Sequence, residues 1–352
     1  MENILKSAEG GDFILRYYYE HEIETTKDEK KTFQCYLKSV EGGNSDGLFN
    51  FGYCYLNGIR TTKDEKKEFQ GYLKSAEGGN SKSQLIIGSH YDNDGEKDFQ
   101  WYLKSAEGGN IYGQFNLGIC YDNGIGTMKD EEKAFQWYLK SAEGGNCKSQ
   151  AIIGSHYDNG IGTTKDKEKA FQWYSKSAEG GNSDGQYIIG CCYMKGIGKD
   201  VEKAFQWYLK SAEGGNIYGQ FNLGICYENG IGTTKDEEKA FQWYLKSAEE
   251  GNSNGQYNLG DCYRNGIGTI KDGEKAFQWY LKSAEGGNSY GQNNLRYCYD
   301  NGIGTMKDEE KAFLWYLKSA EDGNSKKQYV IGYRYENGIG TTKDEEKHFS
   351  GT

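Results

Sequence analysis

Proline is absent from this chain of 352 residues, and long apolar runs are absent as well. Without proline, no ring kinks a helix or removes a backbone donor inside one. The 51 glycines must instead end the elements and allow close contacts between them. No apolar stretch approaches the roughly 18 residues that a membrane-spanning helix needs, so we expect no direct membrane insertion.

A surplus of positive charge is also missing. The chain carries 42 Lys and Arg against 52 Asp and Glu, which gives a formal net charge of −10. No basic patch rises above this acidic background, whereas nucleic-acid recognition requires a basic footprint. The composition therefore predicts no nucleic-acid partner, and it gives no support to binding at an anionic membrane surface.

The cysteines show no disulfide or metal-binding pattern. Six of the nine occupy one equivalent position, just before a recurring tyrosine: Cys54, Cys120, Cys192, Cys226, Cys262 and Cys298. No partner cysteine recurs with them, and the other three (Cys35, Cys147 and Cys191) follow no metal-ligand spacing. The N-terminal segment MENILKSAEGG lacks the apolar core of a signal peptide. We therefore expect reduced thiols and a cytoplasmic protein.

One segment recurs along the whole chain. In its most regular form it reads KDEEKAFQWYLKSAEGGN, at positions 129–146. Its central serine recurs at intervals of 30 to 36 residues, as Ser7, Ser39, Ser75, Ser105, Ser141, Ser177, Ser211, Ser247, Ser283 and Ser319. Self-similarity at a nearly fixed period indicates a stacked repeat array.

The recurring segment is typical of an amphipathic helix, which we call helix B. Its apolar positions share one face, namely Ala134, Phe135, Tyr138, Leu139 and Ala142. Trp137 lies on the flank of this face, where it could reach a neighbouring repeat. We expect Gly144 and Gly145 to end the helix, since glycine readily adopts the left-handed conformation.

A second helix, helix A, precedes helix B in each repeat and covers residues 111–124 in the most regular one. We expect it to begin at a capping box of the form Ser-x-x-Gln, as in Ser253 with Gln256, and to end at Asn-Gly. No segment alternates with period two, so strands are not expected. Two such helices cannot bury their apolar faces alone. The sequence therefore predicts an all-α array of about nine helix-turn-helix repeats.

The repeats divide the chain into three predicted regions. Residues 1–110 hold a half-repeat and three degenerate repeats, residues 111–324 hold six regular repeats, and residues 325–352 hold a partial repeat. In the degenerate repeats Thr32, Glu68 and Asp98 replace the alanine of helix B, so we expect this end to be less stable. The chain begins and ends inside a helix B without a polar cap. Either it is a piece of a longer protein, which we favour, or its ends self-associate.

The repeat resembles the Sel-1-like repeat, a relative of the tetratricopeptide repeat. The matching residues of one unit are Gly113, Leu117, Gly118, Tyr121, Gly124, Gly126, Asp130, Lys133, Ala134, Trp137, Tyr138, Lys140, Ser141, Ala142 and Gly144. Gly113 and Ser141 depart from the alanines that are usual in the family. The resemblance implies a right-handed superhelical solenoid, with helix A on its concave side, that acts as an adaptor or scaffold for other proteins.

The candidate binding residues come from comparing the repeats with each other. On helix A of the fourth repeat, Gly113, Leu117 and Cys120 belong to a fixed half, whereas four positions on the other half vary between repeats. Fixed packing residues opposite variable polar and aromatic ones are typical of a recognition surface. The candidates are Tyr112, Asn116, Ile119, Asp122, Tyr218, Asn222, Ile225, Glu228, Asp261, Arg264, Tyr290 and Tyr297. The alternative, that these are solvent positions free to vary, stays open.

No catalytic set is recognisable. His90 and His156 stand in the position that cysteine holds in other repeats, which favours a packing role over a ligand or base. The Gly-Ile-Gly loops lie between helices and lack the strand that a dinucleotide site requires. We therefore expect a non-enzyme with no catalytic residues, no cofactor and no metal site.

Three functions remain open at this point. The first is a scaffold that binds a protein or peptide through helix A. The second is a regulatory repeat segment of a larger signalling protein, for example beside a kinase domain, or an activator of a membrane enzyme such as a cell-wall synthase. The third is a sensor of a small molecule or peptide fragment, which the many tyrosines could bind.

Overall fold

The computed structural model describes residues 29–59, 61–90, 94–196, 200–320, 331 and 333–340. Helices of 10 to 13 residues follow one another along these ranges, which contain no strand. Helices A are α2 (Ser45–Asn57), α4 (Ser81–His90), α6 (Ile111–Asn123), α8 (Cys147–Asn159), α10 (Ser183–Lys195), α12 (Ile217–Asn229), α14 (Ser253–Asn265) and α16 (Ser289–Asn301). Helices B are α1 (Glu29–Glu41), α3 (Glu65–Glu77), α5 (Gly95–Glu107), α7 (Glu131–Glu143), α9 (Lys167–Glu179), α11 (Val201–Glu213), α13 (Glu237–Glu249), α15 (Gly273–Glu285) and α17 (Glu309–Ala320). The predicted all-α repeat solenoid is confirmed.

Contacts divide the chain into two compact units, residues 1–180 and residues 181–352. Inside each unit, successive helices pack against each other. None of the described helices is long and apolar enough to cross a bilayer. The extreme ends, at which we predicted uncapped helices and self-association, lie outside the described residues.

Helix A is capped by an asparagine, which lies one residue before the serine that we predicted as the cap. Asn252 accepts hydrogen bonds through its side chain from the backbone amides of Asn254 and Gly255. Gln256 donates its side-chain amide to the carbonyl of Ala248, in the preceding helix, instead of to the start of its own helix. The predicted Ser-x-x-Gln capping box is therefore wrong. The asparagine already satisfies the free amides of the first turn, and the glutamine instead links two repeats.

Aspartate caps helix B, and glycine ends both helices. Asp130 accepts from the backbone amide of Lys133 at 3.0 Å. Gly124, after helix A, has a φ of +71°, as the Asn-Gly signal predicts. At the end of helix B only the second glycine is left-handed, since φ is −72° at Gly144 and +96° at Gly145.

The core of each repeat is a helix B tyrosine that packs under a helix A glycine. Tyr244 is fully buried, and a Cβ on Gly224 would lie 2.6 Å from its ring. Gly118 lies equally close to Tyr138. Real Cβ atoms do not approach a ring this closely, so glycine lets the two helices meet across the tyrosine.

One repeat departs from this arrangement. Arg296 occupies the glycine position of α16, and the helix B tyrosine opposite it, Tyr316, is only half-buried. The guanidiniums of Arg296 and Arg334 lie 4.2 and 4.5 Å from the Tyr316 ring centroid. Both guanidiniums also pair with Asp300, at 2.9 and 2.7 Å. A polar cluster thus replaces the close apolar contact of the other repeats.

The helix B tryptophan couples one repeat to the previous one. Trp137 packs against a buried cluster that contains Phe99 of the preceding repeat together with Leu117 and Cys120 of its own helix A. The Lys140 ammonium lies 4.1 Å from the centre of its ring, one turn along the helix. Trp137 thus reaches the neighbouring repeat, as its position on the flank of helix B predicts.

A buried serine joins three helices, and glycine makes room for it. Ser211 donates its hydroxyl to the carbonyl of Ser183, at the start of its own helix A, at 2.7 Å. A Cβ on Gly219, in the next helix A, would overlap with the Ser211 hydroxyl and would lie 2.8 Å from its Cβ. In this repeat the helix B serine therefore takes the space that the glycine leaves. In two other repeats serine replaces the glycine and donates its hydroxyl to the helix B serine, as Ser149 does to Ser141 at 2.8 Å.

The position of the helix B alanine stays buried at Thr32 and Glu68 and is half-buried at Asp98. Ala134 and Ala240 are fully buried there, and Glu68 is only 9% exposed at the same position. Burial of a carboxylate side chain without an ion pair costs free energy. The burial of Glu68 is consistent with the lower stability that we expect of residues 1–110. That lower stability stays a prediction.

His156 lies in the core of the first unit. Its side chain is only 4% exposed, and its ring lies 6.0 Å from that of Phe135 and 5.7 Å from that of Tyr138. Burial lowers the pKa of His156, while the negative charges of Asp122 and Glu131 act in the opposite direction. This histidine packs as the equivalent cysteines do, for example Cys120 and Cys226, which are also buried.

We predict that Gly219→Ala destabilises the protein and that Ser211→Ala, added to it, restores at least half of the loss. The clash with Ser211 should outweigh the helix propensity that alanine gains, so the free energy of unfolding should fall by about 1 to 3 kcal/mol. Urea unfolding of the two single variants and the double variant measures the coupling. Gly273→Ala is the control, because its Cβ would lie 3.5 Å or more from any neighbour. Additive effects of the two substitutions would contradict the prediction.

We also predict that acid destabilises the first unit through His156. Because its pKa is lowered by folding, the unfolded chain binds the proton more readily. The contribution of the neutral, buried His156 to stability is therefore fully present above a pH of about 6.5, the ordinary histidine pKa. This contribution is lost as the pH falls below that value. His156→Cys, which restores the common residue, should lose less stability between about pH 7.5 and 5.5, as urea unfolding would measure. An identical loss in both proteins would refute this assignment.

Candidate functional site

Each helix A presents its variable half to solvent, and we call the variable positions together the helix A face. On α6, Gly113, Leu117 and Cys120 are buried, so the fixed half makes the core. Tyr112 begins the variable half and is 57% exposed. Asn116 follows one turn later and is half-buried. The repeat thus holds one exposed aromatic side chain on a rigid base.

The later variable positions are less exposed than a freely solvated face would be. Ile119 packs partly against the cluster around Ala134, and Ile225 packs partly against the cluster around Ala240. Asn222 donates its amide to the carbonyl of Tyr218, within its own helix, at 2.9 Å. Both isoleucines therefore serve the packing between helices as well as the surface.

Tyrosine hydroxyls from helix B reach the helix A face from beneath. The Tyr244 hydroxyl donates to Oε2 of Glu228 at 2.7 Å. The Tyr280 hydroxyl donates to Oδ1 of Asp261 at 2.6 Å. Burial, and secondly the nearby carboxylate, raises the pKa of Tyr244, so its proton stays on the hydroxyl. The two carboxylates are thereby held in fixed positions on the face.

In the second unit, four predicted residues come together on α14 and α16. The Arg264 guanidinium lies 4.8 Å from the ring centre of Tyr297. Asp261 also accepts from the side chain of Asn294, one repeat further on, at 3.3 Å. Tyr290 stacks at 5.5 Å on Tyr257, a residue that the comparison of repeats did not select. The face here combines aromatic rings with fixed charges of both signs.

Tyrosine pairs that stack with a tilt of 31 to 32° between their ring planes recur on the second unit. Tyr218, which is 50% exposed, lies 5.7 Å from the ring of Tyr187 in the preceding helix A. Tyr187 and Tyr257 hold the same position, three residues after the first variable one. That position carries an apolar or aromatic residue in most repeats and Asn293 in one, and the sequence comparison did not select it. Its contact with the next repeat could not be recognised within one helix.

In the first unit, the corresponding space is a cavity of about 560 Å³. Three successive helices A line it, and we call it the Tyr112 pocket. Its apolar wall consists of Leu85, Ile86, Tyr112 and Phe115. Its polar side chains are those of Ser89, Asn116, Asn146 and Lys148, and the Ser89 hydroxyl donates to the carbonyl of Ile86. Two of the predicted site residues, Tyr112 and Asn116, therefore lie in one cavity.

Two other cavities belong to the repeat framework. One of about 750 Å³ lies between residues 129–132 and the loop 160–164, and one of about 700 Å³ lies between residues 235–238 and the loop 266–270. Both occupy the same place in their repeats. Among the residues that the structure describes, no group of three or more His, Cys, Asp or Glu could hold a metal ion.

The comparisons with known proteins agree with this architecture. A crystal structure of a protective antigen of uropathogenic Escherichia coli, which displays an SLR fold, is similar with a TM-score of 0.68 and 30% identity. The match covers 99% of this chain and 85% of that one. A Sel1 repeat protein from Oxalobacter formigenes is similar with a TM-score of 0.59 and 29% identity, over 80% of this chain and 84% of that one. No curated protein matches the chain.

A family model described as the Sel1 repeat matches ten segments of the sequence. They are residues 10–44, 45–80, 93–110, 111–146, 147–182, 183–216, 217–252, 253–288, 289–324 and 328–347. Because these matches cover most of its length, the chain belongs to the Sel1 repeat family.

Proposed function

We propose that this chain is a non-catalytic scaffold that binds a protein or peptide through the helix A face. Sel1 repeat proteins are generally scaffolds for protein interactions, and the family is typically non-catalytic. The observation that supports the proposal is the exposure of three tyrosines at one repeated position. Tyr112, Tyr218 and Tyr290 are between 50 and 65% exposed.

Tyrosine suits this task for a physical reason. It offers a large, rigid contact area and a hydroxyl, and it loses little conformational entropy on binding, so it is enriched at binding hot spots. The stacking of Tyr218 on Tyr187 and of Tyr290 on Tyr257 limits the freedom of these rings further. We propose that the remaining candidates on α6, α12, α14 and α16 contribute contacts around these tyrosines.

The charged residues of the face would add specificity. Glu228 and Asp261 are fixed by tyrosine hydroxyls, so they lose little freedom when a partner binds. The nine free cysteines support a cytoplasmic location, which we propose as well. The partner in this proposal is a protein or peptide, and neither a cofactor nor a nucleic acid takes part.

We predict that replacing the three tyrosines removes the partner without unfolding the scaffold. A triple variant, Tyr112→Ala, Tyr218→Ala and Tyr290→Ala, should retain its helical circular dichroism, because these rings lie largely in solvent. In quantitative pull-downs from the source lysate, proteins that bind the wild-type chain should be recovered at least fivefold less. A bound protein that passes this criterion is then purified and tested for direct binding.

The control is a triple variant on loops. Met128, Ile270 and Met306 are more than 80% exposed and lie between helices. Their replacement by alanine removes apolar surface of similar kind outside the helix A face. The control should recover the same proteins as the wild type. Equal recovery by all three baits would contradict binding through these tyrosines.

A further inference from the structure

The Tyr112 pocket exists because two contacts of the second unit are missing in the first. In the second unit, the aromatic residue Tyr187 stacks on Tyr218 of the following helix A, and Tyr257 stacks on Tyr290. At the equivalent positions of the first unit, Leu85 precedes Tyr112 and Phe115 precedes a lysine, Lys148. Neither pair brings two rings together, and a cavity of about 560 Å³ remains between the residues.

A hydrogen-bond donor is left without a partner in this pocket. Asn146 is 6% exposed, and its Oδ1 accepts from the backbone amide of Ser149 at 3.0 Å. Its Nδ2 has no acceptor among the described residues. The equivalent Asn216 donates to Asp184 at 2.6 Å, on the preceding helix A. Tyr112 stands at the position of that aspartate. Tyr218 holds the same position before Asn252, which donates instead to the Ile217 carbonyl at 3.2 Å, and Asn146 makes neither of these bonds.

A second amide and one positive charge are also unpaired there. Asn116 makes no hydrogen bond with a described residue, although the equivalent Asn222 donates within its helix at 2.9 Å. Lys148 is exposed and forms no ion pair with any carboxylate in the described ranges. It lies in the first turn of α8, whose N-terminus favours negative charge. Lys82 occupies the same position on α4 and is also exposed.

These groups define one kind of ligand. The apolar wall removes a bulky apolar group from water, which stabilises binding by about 1.5 to 3 kcal/mol for a fully buried side chain. The unpaired amides and the ammonium together complement a carboxylate, and charge-assisted hydrogen bonds are the stronger kind. Lys148 is the charged residue among those that line the pocket. It therefore selects for an acidic group.

We propose that the Tyr112 pocket binds an acidic segment of a partner polypeptide. A bulky apolar side chain enters between Tyr112 and Phe115, and the carboxylate of an Asp or Glu within two residues of it binds Lys148 and Asn146. An internal side chain is the source of the carboxylate, because three successive helices line the pocket and an extended chain crosses all of them. This inference rests on the proposed function and adds the chemistry of the partner.

The test is a selection of random heptapeptides, displayed between Gly-Ser flanks, on the full-length protein. Peptides with Phe, Leu, Ile, Trp or Tyr followed within two residues by Asp or Glu should be enriched at least tenfold. Lys148→Glu should reduce this enrichment at least tenfold and favour Lys or Arg at the acidic position. Circular dichroism and the urea midpoint of each variant verify that it is folded.

Lys167→Glu is the matched control. Lys167 is exposed at the first position of α9, where Glu131 and Glu237 stand in other repeats, and it lies outside the pocket. This substitution makes the same change in net charge and should leave the selected peptides unchanged. If it alters them as Lys148→Glu does, the effect comes from overall charge and the pocket assignment fails.

The other outcomes separate the inference from the function on which it rests. Peptides enriched without an acidic residue, or enriched equally by Lys148→Glu, overturn the pocket assignment and leave binding through the helix A face intact. Enrichment only in a second library that ends in a free carboxylate overturns the internal side chain as the source. If the wild type enriches no peptide over the triple tyrosine variant, this inference fails, and the pull-downs with the triple variant decide the proposed function separately.

Discussion

The contact between a helix B tyrosine and a helix A glycine is the constraint on which each repeat depends. Because the glycine has no side chain, the ring of Tyr244 lies directly against the backbone of α12, and its hydroxyl emerges at the far side beside Glu228. One contact thus sets the distance between the two helices and delivers a hydrogen-bond donor to the surface. Where Arg296 replaces the glycine, Tyr316 is only half-buried and two guanidiniums flank its ring. Core and surface of a repeat therefore change together.

The sequence predicts the helices well because their pattern depends on residues within one repeat. The period of the apolar positions and the Asn-Gly ends need only local information, and the structure bears them out. The capping residue of helix A was predicted one position late, because serine and asparagine are both good caps and only the hydrogen bonds of Asn252 distinguish them. The role of Gln256 was missed for a related reason, since its partner, Ala248, belongs to the preceding repeat.

The candidate site is harder to predict because its properties arise between repeats. The sequence pattern assigns Tyr244 and Tyr280 to the core. The periodicity of the apolar positions does not predict that their hydroxyls donate to Glu228 and Asp261. The stacking of Tyr257 on Tyr290 and the cavity at Tyr112 each depend on which residue the next helix A supplies. A repeat comparison finds the positions that vary. It does not find what the variation does to the neighbouring repeat. The two units differ in these contacts between successive helices A.

The contact between the helix B serine and the next helix A has a consequence for how such a chain changes over time. Serine replaces the glycine in two repeats, and its hydroxyl donates to the helix B serine, from Ser83 to Ser75 at 2.7 Å and from Ser149 to Ser141 at 2.8 Å. Ser141 still donates to the carbonyl of Ile111 at 2.6 Å, so the added hydroxyl extends the chain of hydrogen bonds. Alanine would add the same Cβ without a hydrogen bond. Glycine and serine can therefore replace each other at this position, whereas the helix B serine disfavours alanine.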